Sequence, residues 1–190
     1  MGPASKRRKR LARAVKLAAA AAVVLVLAGV YLGEFARVNG RSMEPALAGG
    51  DRVFFEKLSV RRTGPNRFDI VVFKAPEEPD RLYIKRVVGL PEDVAEAAEG
   101  RLMINGVQVP LPAGLDWGDA RFGPVAMRPG HYFVVGDNLG DSVDSRQWGP
   151  VPRDYILGRV CLRFWPVGKW RVFQRESASG EGVRDANKGL

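Results

Sequence analysis

Three stretches of this 190-residue chain carry residue types that could do chemistry together. The first is Gly40-Arg41-Ser42-Met43-Glu44-Pro45. A serine hydroxyl becomes a nucleophile when a neighbouring base takes its proton. On its own the stretch reads equally as a turn serine ahead of a proline. The second is Arg81-Leu82-Tyr83-Ile84-Lys85-Arg86-Val87-Val88. A lysine on an exposed edge strand is ordinary. One held among Leu82, Ile84, Val87 and Val88 loses hydration, which favours the neutral amine that can act as a base. The third runs from Gly136 to Arg146 and packs Asp137, Asp141, Asp144, Ser142, Ser145 and Arg146 into eleven residues. Its acids miss the alternating spacing of a calcium loop, and no glutamate closes it. Such density suits a buried polar network in which an Asp–Arg pair and hydroxyls hold other side chains in place.

The elements that must position these groups read as strands. Residues 52–56, 69–74, 81–88, 132–135 and 158–165 are extended by composition and alternation. Leu102-Met103-Ile104, Asn105-Gly106 and Val107-Gln108-Val109 form a hairpin signal with a two-residue turn. Residues 61–66 read as a polar turn, and residues 110–129, rich in Pro and Gly, as a surface loop or small accessory region. Many short strands without a long helix predict a mainly β domain over 34–175, a twisted, partly closed antiparallel barrel. Residues 176–190 are polar without apolar spacing and read as a disordered tail.

The net charge of +9 is local. Lys6, Arg7, Arg8, Lys9, Arg10, Arg13 and Lys16 supply seven of those nine charges within a tail that has no acid. A nucleic-acid footprint across the domain is therefore not expected. Leu17–Gly33 follows without a charge, and as a helix it is ~25 Å long, near the lower limit for a bilayer span. A cleaved secretory signal has a shorter apolar core and a small-residue exit, whereas this run exits through Gly33-Glu34-Phe35-Ala36-Arg37. An uncleaved signal anchor fits best, with residues 1–16 cytoplasmic and the catalytic domain on the outer face of the plasma membrane. One cysteine, Cys161, and one histidine, His131, leave no thiolate or poly-His metal site, and no cofactor is called for. A Ser-His-Asp triad would have to recruit His131, which opens a strand after a Pro-Gly turn.

Four blocks, in order, resemble the type I signal peptidases, membrane-bound Ser/Lys endopeptidases. They are Ser42-Met43-x-Pro45 with Leu47; Arg67 to Lys74, with Phe68 where glycine is usual; Tyr83 to Pro91 with Asp93; and Gly136-Asp137-Asn138 with Ser142-x-Asp144-Ser145-Arg146. The resemblance covers roughly residues 15–168. It implies Ser42 as nucleophile and Lys85 as general base, Ser142 aiming the lysine, and Asp144 with Arg146 as a supporting ion pair. It further implies that Asp137 and Gly136 shape the same wall. Val38, Gly40, Met43, Leu47, Tyr83 and Ile84 would line the substrate's path. Gly40 stands where many relatives carry a serine that donates to the oxyanion. The implied partners are exported preproteins cleaved after Ala-x-Ala-like sequences, and the lipid bilayer. A pilus-assembly or self-cleaving repressor relative, or an inactive tethered β module, stays open at this point. The aromatic run Phe164-Trp165-Pro166 and Trp170 reads either as core or as a face turned to the membrane.

Overall fold

The computed structural model describes residues 13, 15–21, 32–78 and 80–175. Among the described residues twelve strands make two antiparallel sheets. In chain order they are β1 (Gly33–Arg37), β2 (Arg52–Glu56), β3 (Ile70–Lys74), β4 (Leu82–Gly89), β5 (Val94–Ala98), β6 (Arg101–Ile104), β7 (Val107–Val109), β8 (Phe122–Ala126), β9 (His131–Val135), β10 (Val151–Pro152), β11 (Ile156–Trp165) and β12 (Arg171–Val172). The larger sheet runs β1-β2-β11-β3-β4-β9-β10, with β12 added on β11. The smaller runs β7-β6-β5-β8.

The unbroken apolar run in β3 has a simple cause. Ile70 and Val72 enter one core with Val38, Met43, Leu47, Val53, Phe55 and Val160. Val71 and Phe73 enter another, with Val60, Val87, Tyr132, Val134, Val151 and Ile156. A strand buried on both faces has no solvent side to make polar. A third core lies between the sheets, where Val88, Phe133 and Val135 meet Ala95, Ala97, Leu102 and Ile104.

That third core corrects the expected barrel. The chain is mainly β as read, but the larger sheet is open, since β1 and β10 end the strand order without pairing to each other. Bulges in β4 and β11 twist it. Its remaining apolar face is covered by the second sheet instead of by closure.

The 110–129 segment is also more ordered than its composition suggests, because it contains β8, which pairs β5. Residues 61–66 are not simply a turn. A short helix, α1 (Leu58–Thr63), takes up its first half. The Glu56 carboxylate accepts the Ser59 backbone N–H and so holds its first turn. Gly64 ends it at a φ of 78°. One helical turn is too short to print a periodicity.

Among the described residues no helix is long and apolar enough to cross a membrane. Residues 22–31, the middle of the expected anchor, lie outside the described residues, as do most of the basic tail and all of 176–190.

Candidate active site

Strand β4 places Lys85 opposite Val71 of β3 and beside Val87. The lysine side chain is 2% exposed. Its ammonium would also lie 5.8 Å from the centre of the Tyr83 ring. Burial is the largest influence on it and pulls its pKa from the ordinary lysine range down to about 8. The Asp144 carboxylate opposes that fall and the Arg146 guanidinium reinforces it.

Lys85 Nζ lies 3.0 Å from Ser142 Oγ. Ser142 Oγ in turn lies 2.6 Å from Asp144 Oδ2, to which it donates. A hydroxyl has one proton, so Ser142 must accept from Lys85. A neutral Lys85 bonded in that way keeps its lone pair unspent.

Asp144 is fully buried. It is satisfied on every side, by Gly136 N at 3.0 Å, Arg146 Nε at 2.7 Å, Arg146 Nη2 at 3.0 Å and the Arg146 backbone N at 3.2 Å. The last of these caps the short helix α2 (Ser145–Trp148). Arg146 Nη2 also donates to the carbonyls of Leu139 and Ser142. The third stretch is therefore the buried polar network that its composition suggested.

Ser42 sits half-exposed in a turn between the exposed Arg41 and the buried Met43. The turn is closed by Glu44 N on the Arg41 carbonyl and Leu47 N on the Met43 carbonyl. Two buried side chains, Met43 and Leu47, pin it to the core. Among the described residues the Ser42 hydroxyl and the Ser42 N–H have no hydrogen-bond partner. The Ser42 carbonyl accepts Asn138 N at 3.0 Å.

Gly136 lies where the two halves meet. A Cβ on it would collide with both Ser142 Oγ and the Ser42 carbonyl oxygen. The Ser42 turn and the hydrogen-bond partner of Lys85 thus converge on the spot that a side chain at this glycine would fill.

Sequence reading missed Arg86 as a site residue. Its guanidinium grips both Asp137 oxygens, at 2.7 and 2.6 Å, and the Phe68 carbonyl at 2.8 Å. Asp137 precedes the residue that holds the Ser42 carbonyl, so Arg86 steadies that link. The available signal was a second charge in an apolar strand, which must find a partner.

The expected substrate-lining residues fall on two faces of the sheet and in one turn. Val38, Met43 and Leu47 are 3% exposed or less and belong to the core, with Ile84 packed against them. They support the Ser42 turn from below. Tyr83 lies on the other face of β4, against Phe73. Gly40 has a φ of 79° with open space where a side chain would go. His131 bonds the Pro129 carbonyl at 3.0 Å, a turn contact remote from this network. The aromatic run is not core: Phe35, Trp165, Val167, Trp170 and Val172 are all half-exposed or more. Phe35 packs its ring against Phe54 and Phe164.

Comparison with known proteins gives a consistent picture. A family model for signal peptidase, peptidase S26, matches residues 11–165. A probable signal peptidase I-2 of Synechocystis sp. is 37% identical over 158 residues, spanning 77% of this chain and 70% of that protein. A signal peptidase I of Leptolyngbya laminosa is 36% identical over 155 residues, 77% of this chain and 76% of that one. A crystal structure of a signal peptidase I from Enterococcus faecalis V583 aligns at 29% identity and a TM-score of 0.43, over 50% of this chain and 95% of its own.

Proposed function

Because this chain belongs to the peptidase S26 family of signal peptidases, serine proteases that remove signal peptides, we propose that it does so with Ser42 as nucleophile and Lys85 as general base. One observation carries this reading: a buried lysine with its N–H engaged by Ser142 and its pKa drawn down to about 8. The free lone pair takes the proton of the Ser42 hydroxyl as its oxygen attacks the scissile carbonyl. The oxyanion that forms is met by the unpartnered Ser42 N–H. Lys85, now an ammonium, gives its proton to the departing amine, and the N-terminal residue of the mature protein leaves. A water attacks the Ser42 ester, passing its proton to Lys85 and on to Ser42, and the signal peptide is freed.

Ser142, Asp144 and Arg146 act as positioning residues, and Asp137 and Gly136 keep the nucleophile turn at the right distance. The substrate lies extended beside the Ser42 turn and β4, adding backbone hydrogen bonds, and is cleaved after Ala-x-Ala-like small residues.

The chain is anchored through 17–33, with residues 1–16 on the cytoplasmic side and 34–175 outside. The exposed aromatics on β1, the end of β11 and β12 rest on the lipid surface and bring the site to substrates that are themselves embedded there.

The test is cleavage of a purified preprotein by wild type, Ser42→Ala and Lys85→Ala. Both variants are expected to lose at least ~1,000-fold in kcat/KM with unchanged circular dichroism. Comparable activity in all three would discard the reading.

A further inference from the structure

A second concave site lies on the side of the larger sheet away from Lys85. Neighbouring residues of a strand point to opposite faces. While Lys85 and Val71 look one way, Arg86 and Ile70 look into a cleft of about 700 Å³. The accessory loop Pro112–Leu115 forms one wall, and the segment Arg171–Arg175, which carries β12, forms the other.

The polar lining is dominated by arginine. Arg86 is fully engaged by Asp137. Arg159 spends one edge on Glu56 at 3.4 Å and another on the Phe173 carbonyl at 3.0 Å. The other two are less committed. Arg171 lies over the Phe173 ring at 5.1 Å and has no acidic partner among the described residues. Arg175 Nη2 donates to the Gly64 carbonyl. Nη2 also donates to the Thr63 hydroxyl at 3.3 Å, and Nε pairs with the Asp69 carboxylate at 3.6 Å, beyond hydrogen-bond length. Arg175 therefore keeps its second terminal nitrogen, and Arg171 its whole guanidinium, without an acidic partner among the described residues. The cleft's lip is continuous with the exposed aromatic surface, since Arg171 and Val172 follow Trp170 directly and Val172 is itself exposed.

We infer that this cleft binds a phosphate-bearing anion, held by the Arg171 and Arg175 guanidinium groups against the apolar floor of Ile70, Val160 and Phe173. The fork of arginine donors matches phosphate oxygens two at a time. Two sources share that chemistry, free phosphate and the headgroup of an acidic phospholipid. The neighbouring aromatics supply the apolar contact that the second would use. The cleft borders the Ser42 turn, since Pro45, Arg86 and Asp137 also line it, but the two anion-holding residues, Arg171 and Arg175, make no contact with Ser42, Lys85, Ser142 or Asp144.

The full chain in zwitterionic detergent is titrated with dihexanoyl phosphatidylglycerol, with dihexanoyl phosphatidylcholine and with inorganic phosphate, and tryptophan fluorescence is followed. Saturable binding of phosphatidylglycerol is expected, weakened about tenfold in Arg171→Gln and further in Arg171→Gln/Arg175→Gln. Phosphatidylcholine should bind no better to wild type than to the variants. Cleavage of a soluble peptide should be the same in all three proteins. Arg171 is exposed and makes no side-chain hydrogen bond among the described residues, only its stacking on Phe173, so its single variant keeps the test valid if the double variant misfolds. Phosphatidylglycerol binding that Arg171→Gln weakens assigns the site to lipid. Inorganic phosphate binding alone, equally sensitive to that variant, assigns it to soluble phosphate. Equal affinity for both lipids, insensitivity to Arg171→Gln, or no binding of any probe overturns the proposal.

Discussion

The direction of one hydrogen bond decides what Lys85 can do. Ser142 gives its proton to Asp144 and so accepts from the amine. Lys85 with a pKa near 8 is about one-tenth neutral at pH 7. Cleavage of a soluble peptide should therefore rise with pH and level off above pH ~9, with an inflection near 8. Asp144 props that pKa up and Arg146 presses it down. Asp144→Asn should move the inflection to lower pH and Arg146→Gln to higher pH, both with a reduced plateau. Profiles that moved in the same direction would contradict the assignment. The same group bears on stability. Its folded pKa lies below the ordinary 10.5, so below pH ~8 the folded protein carries the full cost of a buried ammonium, roughly 3 kcal/mol. Lys85→Met should remove that cost: urea unfolding at pH 7 should show a more stable but inactive protein. The advantage should shrink between pH 8 and 10.5 and vanish above.

At the level of elements, Phe68 shows where side-chain and backbone preferences part. Its φ is 67°, a left-handed conformation that disfavours any side chain. The position is held by Phe68 N on the Val87 carbonyl and by Arg86 on the Phe68 carbonyl, while the ring packs against the core between the sheets. Relative to Phe68→Ala, Phe68→Gly should be more stable by about 1 kcal/mol, read from denaturation midpoints, although both lose the ring's packing. The glycine usual at this position in the family pattern was thus a statement about backbone that sequence alone could not turn into an angle. Other elements were plainer. The strands around Val53, Val71, Lys85, Phe133 and Val160 announced themselves through apolar runs. Asn105 and Gly106 took the paired positive φ values, 52° and 78°, that their turn demands. What stayed hidden was short or poor in apolar residues. Strand β5, Val-Ala-Glu-Ala-Ala, buries only alanines. Strand β8 contains Gly123 and Pro124. Strand β1 was masked by the uncharged run it follows. The candidate site was legible in its residue types but not in its joints. Nothing in composition says that Gly136 would separate Ser42 from Ser142, or that Arg86 would hold Asp137.

At the scale of the whole molecule, the described residues expose a group of large aromatics. Phe35, Trp165 and Trp170 stand exposed beside one another's strands, a surface that water does not favour and an interface would. Replacing all three with serine should leave hydrolysis of a short soluble peptide within about twofold while cutting the processing of a vesicle-embedded preprotein by ~10-fold or more. Equal losses on both substrates would point to a damaged fold instead. A final consequence follows from how β1 begins. Gly33 is both the last residue of the uncharged run and the first of a paired strand. A side chain there would strike Phe54 and the Phe55 carbonyl. Lys57 donates to the Leu32 carbonyl and pairs with Glu34. No slack joins the run to the sheet, and Ser42 stands at most ~30 Å along the chain from that junction. With the run seated in lipid, the strand becomes a fixed post. On the proposed reading, the Ser42 hydroxyl would then work at one altitude, and a bond would be chosen as much by how far it protrudes as by the letters around it.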